Sequence, residues 1–254
     1  MGKLDGKTAW ITGGGTGIGE AAAKALAEAG AHVIVSGRRA EQLERVVADI
    51  AAAGGSAEAA PLDATDAGAT EALAAKIEAA RGAIDLFMAN AGTNVPNRAQ
   101  DSLTPQDFAK VVDVNLNGVM YGVLAVLPGM RKRGAGTLIL TSSWAGRHAS
   151  RLTGAAYNAS KHGVVALSHS INMENAKHGI RCTALMPGEA KTPILDNRPV
   201  APSPEEQAKM LQPEDLGDIV RFIAEAHPRV CLNEILVSPT WNRLFVADDP
   251  RAGV

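Results

Sequence analysis

Apolar residues recur along this chain in two alternating rhythms. Short apolar runs fall at 7–12, 31–36, 57–62, 84–89, 136–141, 180–185 and 231–237, as expected of strands buried on both faces. Longer helix-like stretches separate them at 17–29, 39–53, 66–81, 104–132, 154–177 and 213–226. Such alternation predicts an α/β fold: a doubly wound parallel sheet of about seven strands, with helices on both faces. Gln212-Pro213-Glu214-Asp215 reads as a helix start, with Pro in the first turn and acids beside the N-terminus. No repeat or interdomain linker breaks the pattern, so residues 1–254 are expected to form one domain. The segment from Gly188 to Met210 stands apart, with Pro193, Pro199, Pro202 and Pro204 between core elements. A polar loop of this length is expected to be either a lid, spanning about 188–212, or a plain surface excursion.

Composition narrows the partners. The hydrophobic share of 46% suits a large core, and a formal net charge of −2 argues against nucleic acid or an anionic membrane. Cys182 and Cys231 both lie in apolar strand-like runs and are expected to be buried free thiols in a reducing cytoplasm. No apolar run is expected to reach the roughly 18 residues that span a bilayer. No signal peptide is expected either, which again suggests a cytoplasmic location. The six histidines are scattered without ligand spacing, so no metal site is expected.

The chemistry concentrates in two places. Near the N-terminus an apolar run ending at Thr12 meets Gly13-Gly14-Gly15-Thr16-Gly17-Ile18-Gly19 and then an alanine-rich helix-like stretch. Strand, glycine turn and helix in that order fit a dinucleotide pyrophosphate, because glycine lets a phosphate approach the backbone and the helix start offers free N–H groups. Farther along, Tyr157 and Lys161 are four residues apart and share a helix face. A tyrosine hydroxyl titrates near 10, and a neighbouring ammonium lowers that value into a range useful for proton transfer.

Taken in order, Thr12 to Gly19, Asn90-Ala91-Gly92, Asn115, Ser143 and Tyr157/Lys161 resemble the short-chain dehydrogenase/reductase family in its single-domain form. The resemblance runs from about residue 5 to Gly188. It implies a nicotinamide-dependent oxidoreductase acting on a carbonyl/alcohol pair, with Asn115, Ser143, Tyr157 and Lys161 as catalytic set. Ser143 is preferred over Ser142 because Ser-Trp-Ala-Gly then matches the family's serine motif. In that layout Tyr157 gives or takes the proton and Ser143 holds the substrate oxygen. Lys161 lowers the Tyr157 pKa and reaches the nicotinamide ribose. Asn115 holds a water from a locally disturbed helix.

The resemblance also assigns the cofactor contacts. Gly13, Thr16, Gly17, Ile18 and Gly19 would hold the pyrophosphate, and Asp63 with Ala64 the adenine. Asn90, Ala91 and Gly92 would line the nicotinamide ribose, and Pro187, Gly188 and Thr192 the carboxamide. Ala89 stands where the family often has a second Asn. At the end of the second strand the chain reads Gly37-Arg38-Arg39, with glycine where an NAD-selecting acid would stand. Arginines there suit a 2′-phosphate, so NADP is favoured and NAD is the alternative.

Trp144, His148, Leu152, Met186, Leu195, Thr93, Asn94 and Val95 are expected around a partly apolar substrate. Arg147 and Arg151 are candidates to attract an acidic one, and Glu189 faces either the site or solvent. The family layout also suggests a homotetramer or homodimer, with Ala166, Leu167, Ile171 and Met173 facing either a partner or the sheet. The last strand lacks the family's Val-Asp-Gly-Gly turn. Residues 240–254 are therefore expected to pack on a neighbouring subunit or to fray. The competing expectation is a non-catalytic NADP-binding regulator or scaffold of the same fold.

Overall fold

The computed structural model describes residues 2–243 and 245. Seven parallel strands, β1 (Thr8–Thr12), β2 (His32–Gly37), β3 (Ser56–Pro61), β4 (Leu86–Ala89), β5 (Gly136–Thr141), β6 (Ile180–Pro187) and β7 (Glu234–Val237), pair in the order β3-β2-β1-β4-β5-β6-β7. Alternate residues divide between two cores. Ile11, Val33, Val35, Met88 and Ile139 face α1 (Gly17–Glu28), α2 (Ala40–Ala52) and later α8 (Pro213–Glu225). Trp10, Ile34, Phe87, Leu138 and Leu140 face α3 (Ala67–Arg81), α5 (Gly118–Arg133) and α6 (Ala155–Asn175). Burial on both faces explains why the strands read as continuous apolar runs. The expected doubly wound sheet is therefore the one observed.

Winding changes direction between β1 and β4, which are hydrogen-bonded neighbours although two strands separate them in sequence. Beyond the carboxyl ends of such a pair a crevice opens, where ligands of open α/β sheets bind. The two ends are tied by the Thr12 hydroxyl, which accepts from the backbone N–H groups of Asn90 (3.1 Å) and Ala91 (3.3 Å). Deeper in, the Trp10 indole donates to the Ser36 hydroxyl at 2.9 Å and packs on Phe87 with ring centroids 4.8 Å apart.

Several elements differ from the sequence-based expectation. The last strand begins at Glu234 rather than 231, leaving Cys231 exposed, while Cys182 in β6 is buried; both thiols are free. The stretch expected as one helix is α4 (Pro105–Val112), a π-helical turn (Asp113–Asn117) and α5 in unbroken succession. Within Pro105–Arg133 an 18-residue window reaches a mean hydropathy of 1.5, enough to cross a membrane by length and composition. The expectation of no such run is thereby corrected. Its apolarity serves packing here, since Val119, Val123, Val126 and Met130 lie in the second core. The segment after β6 is not plain loop: it holds a 3-10 turn (Pro193–Asn197) and α7 (Pro204–Ala208), which carries its own Ser203/Glu206 capping box. Its two ends meet where Ala190 bridges Leu211.

Phe87 sets a limit on α5. A Cβ at Gly122 would fall 2.2 Å from Phe87 Cζ. Alanine gains about 1 kcal/mol of helix propensity over glycine, but overpacking a fixed core costs about 1–3 kcal/mol. Phe87 is fully buried against Trp10 and has little room to yield. Gly122→Ala is expected to lower the urea-unfolding free energy by about 1–2 kcal/mol; an equal or more stable variant would show that the ring moves freely.

Candidate active site

Close backbone approach shapes the crevice. Gly13 (φ 66°) and Gly17 (φ 57°) have left-handed conformations that residues with a Cβ rarely adopt. A Cβ at Gly13 would lie 2.9 Å from the Ala91 backbone, and one at Gly19 only 2.2 Å from the Gly13 carbonyl oxygen. Gly19 thus packs behind the turn, leaving Gly13, Thr16, Gly17 and Ile18 on the wall. Thr16 precedes α1 with extended backbone and no side-chain cap, so the first N–H groups of the helix remain on offer. A narrow glycine cradle at an uncapped helix start fits a pyrophosphate.

The crevice is a cleft of about 610 Å³. Arg38, Arg39, Asp63 and Ala64 line one end, Asn90, Ala91 and Gly92 the middle, and Pro187, Gly188 and Thr192 the far side. Neither Arg38 nor Arg39 has a salt bridge among the described residues, and both are exposed. The Asp63 carboxyl is held below its usual range by hydrogen bonds from the Thr65 backbone and hydroxyl, with a further effect of Arg38.

Ser143, Tyr157 and Lys161 meet on the opposite wall. Ser143 follows β5 and Tyr157 occupies the first turn of α6. The Ser143 hydroxyl donates to the Pro187 carbonyl at 3.5 Å and acts on the Tyr157 hydroxyl across the same wall. It also accepts from the Ala145 N–H at 3.2 Å. Ser142 is turned away: its hydroxyl is buried and donates to the Lys161 carbonyl at 2.8 Å. Lys161 Nζ donates to the Thr141 carbonyl at 2.8 Å and lies 5.6 Å from the Tyr157 ring centre. Asn115 sits in the π-helical turn, behind the wall. Its side chain accepts from Thr93 N–H (2.8 Å) and donates to the Thr93 carbonyl (3.0 Å) and the Ser160 hydroxyl (3.2 Å). Asn115 Oδ1 and Lys161 Nζ each come within 3.6 Å of where a Gly92 Cβ would stand.

Burial dominates the electrostatics. It raises the Tyr157 hydroxyl, opposed by the Ser143 hydroxyl and by the charges of Arg98 and Arg198. It lowers the Lys161 ammonium to about 8. The Tyr–Lys spacing predicts that lysine depresses the tyrosine. Here Lys161 is not among the groups that do so; its ammonium is held by Thr141, and two arginines act instead.

At the substrate end the expected residues divide. Trp144, His148, Leu152, Leu195, Thr93 and Asn94 line the cleft, with Trp144 stacked on His148 at 4.7 Å. Asn94's side chain is engaged with the Thr153 carbonyl and the Val95 N–H. Val95 and Met186 are corrected to core positions, Val95 with Val111 and Ala156, Met186 with Val165 and Ala184. Arg147 is corrected too: it pairs with Glu234, away from the cleft. Arg151 is exposed and does not line it. Besides Arg38 and Arg39 at the other end, the arginines that do are Arg98, Arg198 and Arg243. Nothing local in the sequence marks them, since each is brought there by a different loop.

Glu189 faces the site, receiving Arg198 on one carboxylate oxygen (2.8 Å) and Arg243 on the other (2.6 Å). The C-terminal stretch folds back over the cleft: Asn242 and Arg243 line it, Trp241 lies under Lys209 at 4.9 Å, and Phe245 meets Trp144 edge-on at 5.5 Å. The expectation of a frayed end is corrected for these residues; residues 244 and 246–254 lie outside those described. Of the α6 residues offered for assembly, Ile171 faces the core, Leu167 is half-buried, and Ala166 and Met173 are exposed.

The chain is similar to known proteins in sequence and fold. A family model described as short chain dehydrogenase matches residues 7–201. Glycine betaine reductase ATRR of Emericella nidulans is 34% identical over 247 residues, 94% of this chain but 19% of that protein, so the chain spans about a fifth of it. Cyclohexanol dehydrogenase of Acinetobacter is 32% identical over 231 residues, 87% of this chain and 88% of that one. A metagenomic short-chain oxidoreductase solved in complex with NADP superposes with a TM-score of 0.81 at 31% identity, covering 94% of this chain and 99% of its own.

Lys161 offers a test of the site's electrostatics. With a folded pKa of about 8 against 10.5 when solvated, the native state binds fewer protons than the unfolded chain between those values. The charged form's burial therefore costs stability below pH 8, and the cost is relieved as pH rises toward about 10. It is on the order of 3 kcal/mol, offset in part by the Thr141 hydrogen bond at about 1 kcal/mol. Lys161→Met is expected to be more stable than the wild type at pH 7, by an amount that shrinks toward pH 10. Urea titrations at both pH values measure this, and a pH-independent difference would contradict it.

Proposed function

Because this chain belongs to the short-chain dehydrogenase/reductase family, we propose that it is an NADP-preferring oxidoreductase interconverting a carbonyl and a secondary alcohol. The observation that carries this is the convergence of Ser143, a half-buried Tyr157 and Lys161 on one wall of a cleft that also holds the glycine cradle. A bound nicotinamide dinucleotide supplies or accepts the hydride. In reduction, Tyr157 gives its hydroxyl proton to the substrate oxygen, and in oxidation it takes that proton back. Ser143 donates to the same oxygen and stabilises charge developing there. Arg98 and Arg198 favour the phenolate that remains. Lys161, beside Gly92, binds the ribose, and Asn115 holds a water that relays protons between Lys161 and solvent.

The glycine turn and α1 hold the pyrophosphate, Asp63 and Ala64 the adenine, and Pro187, Gly188 and Thr192 the carboxamide. Arg38 and Arg39 support the NADP preference: two exposed guanidinium groups with no salt bridge among the described residues flank the cleft, and Gly37 stands where an NAD-selecting acid would be. Residues 188–212 act as a lid closing one domain. Free thiols at Cys182 and Cys231 suit the cytoplasm. Exposed Leu124, Ala166 and Met173 on the α5/α6 face support pairing of copies into a homodimer or homotetramer.

One absorbance experiment with NADPH and NADH tests both halves, using a panel of ketones, aldehydes and quinones. Tyr157→Phe is expected to lose turnover by at least about a thousandfold while still binding dinucleotide, the upper part of what a general acid contributes. The Arg38→Ala/Arg39→Ala variant is expected to lose about tenfold or more in kcat/KM for NADPH but not for NADH. Undiminished turnover in the tyrosine variant would refute the mechanism. Equal losses with both cofactors would refute the NADP preference.

A further inference from the structure

Arg98 is a buried cation that has no carboxylate partner among the described residues. The residue is 8% exposed, yet its acceptors among the described residues are all backbone carbonyls: Val95 (2.9 Å), Leu152 (3.1 Å) and Asn197. These engage three of its five N–H groups. Carbonyl dipoles offset part of the cost of burying a guanidinium, but a counter-charge is what such a group ordinarily requires.

Arg198 stands close enough to press on Arg98 by like-charge repulsion, and both act electrostatically on the Tyr157 hydroxyl. Three guanidinium groups therefore line this end of the cleft, those of Arg98, Arg198 and Arg243. Against them stand Glu189, shared by Arg198 and Arg243, and Glu206, 3.8 Å from Arg243. Asp196 also lines the cleft but is exposed at its rim and has no ion pair among the described residues. Among the described residues this cluster of three guanidinium groups and two carboxylates is net positive, and the buried Lys161 ammonium stands in the same cleft.

We propose that the substrate carries a carboxylate, which Arg98 and Arg198 bind next to the carbonyl presented to Tyr157 and Ser143. This rests on the oxidoreductase reading above and names its substrate class: short oxo acids and the matching hydroxy acids. A net positive cluster attracts an anion, and the planar fork of a guanidinium matches a carboxylate. Water exclusion strengthens the attraction. A carboxylate held by both arginines also offsets the repulsion between them. Trp144, Leu152 and Leu195 then take the apolar remainder of the molecule.

The test compares short oxo acids (acetoacetate, levulinate and their next homologues) with their methyl esters, using NADPH and purified protein. The wild type is expected to favour the best acid over its ester by about tenfold or more in kcat/KM, the scale of a hydrogen-bonded charge. Arg198→Met is expected to reduce that acid-to-ester ratio at least tenfold, and Arg98→Lys to reduce it partially. Pentanoate should inhibit ester reduction competitively in the wild type and much more weakly in Arg198→Met. A strut role for either arginine would lower acid and ester turnover in proportion and leave the ratio intact. Should Arg98→Lys fail to fold, Arg198→Met decides alone. An ester preference, or an unaltered ratio in both variants, would overturn the proposal. Turnover of neutral ketones with rejection of every oxo acid would overturn it while leaving the oxidoreductase reading in place. No turnover of any carbonyl would overturn that reading, and this proposal with it.

Discussion

The carboxyl ends of β1 and β4 are held almost in contact, and the rest of the cleft is arranged around that constraint. A single threonine hydroxyl, that of Thr12, accepts the N–H groups of both Asn90 and Ala91. With the two ends this close, only glycine fits at 13 and 19, because a Cβ at either would overlap the facing backbone. The same turn starts α1 uncapped, so a tight join between strands also leaves free N–H groups pointing toward solvent. The phosphate cradle follows from the way the sheet is wound, not from a separate device.

Burial then sets the chemistry on the facing wall. Tyr157 and Lys161 both sit in low dielectric, which raises the one and lowers the other. Both shifts favour uncharged forms, so charge on the phenolate has to be stabilised from elsewhere. The Ser143 hydroxyl contributes, and Arg98 and Arg198 supply field. The second of these is anchored through Glu189, which also receives Arg243 from the C-terminal stretch. Segments far apart in sequence thus reach the reacting hydroxyl through one carboxylate.

Much of this is legible in the sequence because it is local. Strands buried on both faces read as apolar runs, and the glycine turn and the Tyr157/Lys161 spacing are contained within a few residues. What the sequence hides is set by tertiary partners. The run at 231–237 is apolar throughout, but β7 pairs with β6 only from Glu234, so Cys231 is exposed. Val95 and Met186 lie in sequence beside residues that line the cleft, yet their side chains point into cores. Arg147 and Arg151 read as candidates for an acidic substrate, but Glu234 takes Arg147 and neither lines the cleft. The turn at Asp113–Asn117 could be anticipated only as a disturbance, since its π-helical form appears once Asn115 is seen bonded to Thr93 and Ser160.

The central claim is direct hydride transfer to a carbonyl carbon with a proton delivered separately to its oxygen. Reduction of a ketone with NADPH deuterated at the reactive position of the nicotinamide, followed by mass spectrometry of the product alcohol, tests it most directly. The account predicts one deuterium on the carbinol carbon and none exchanged with solvent. Product without deuterium, or with deuterium that washes out into water, would contradict it.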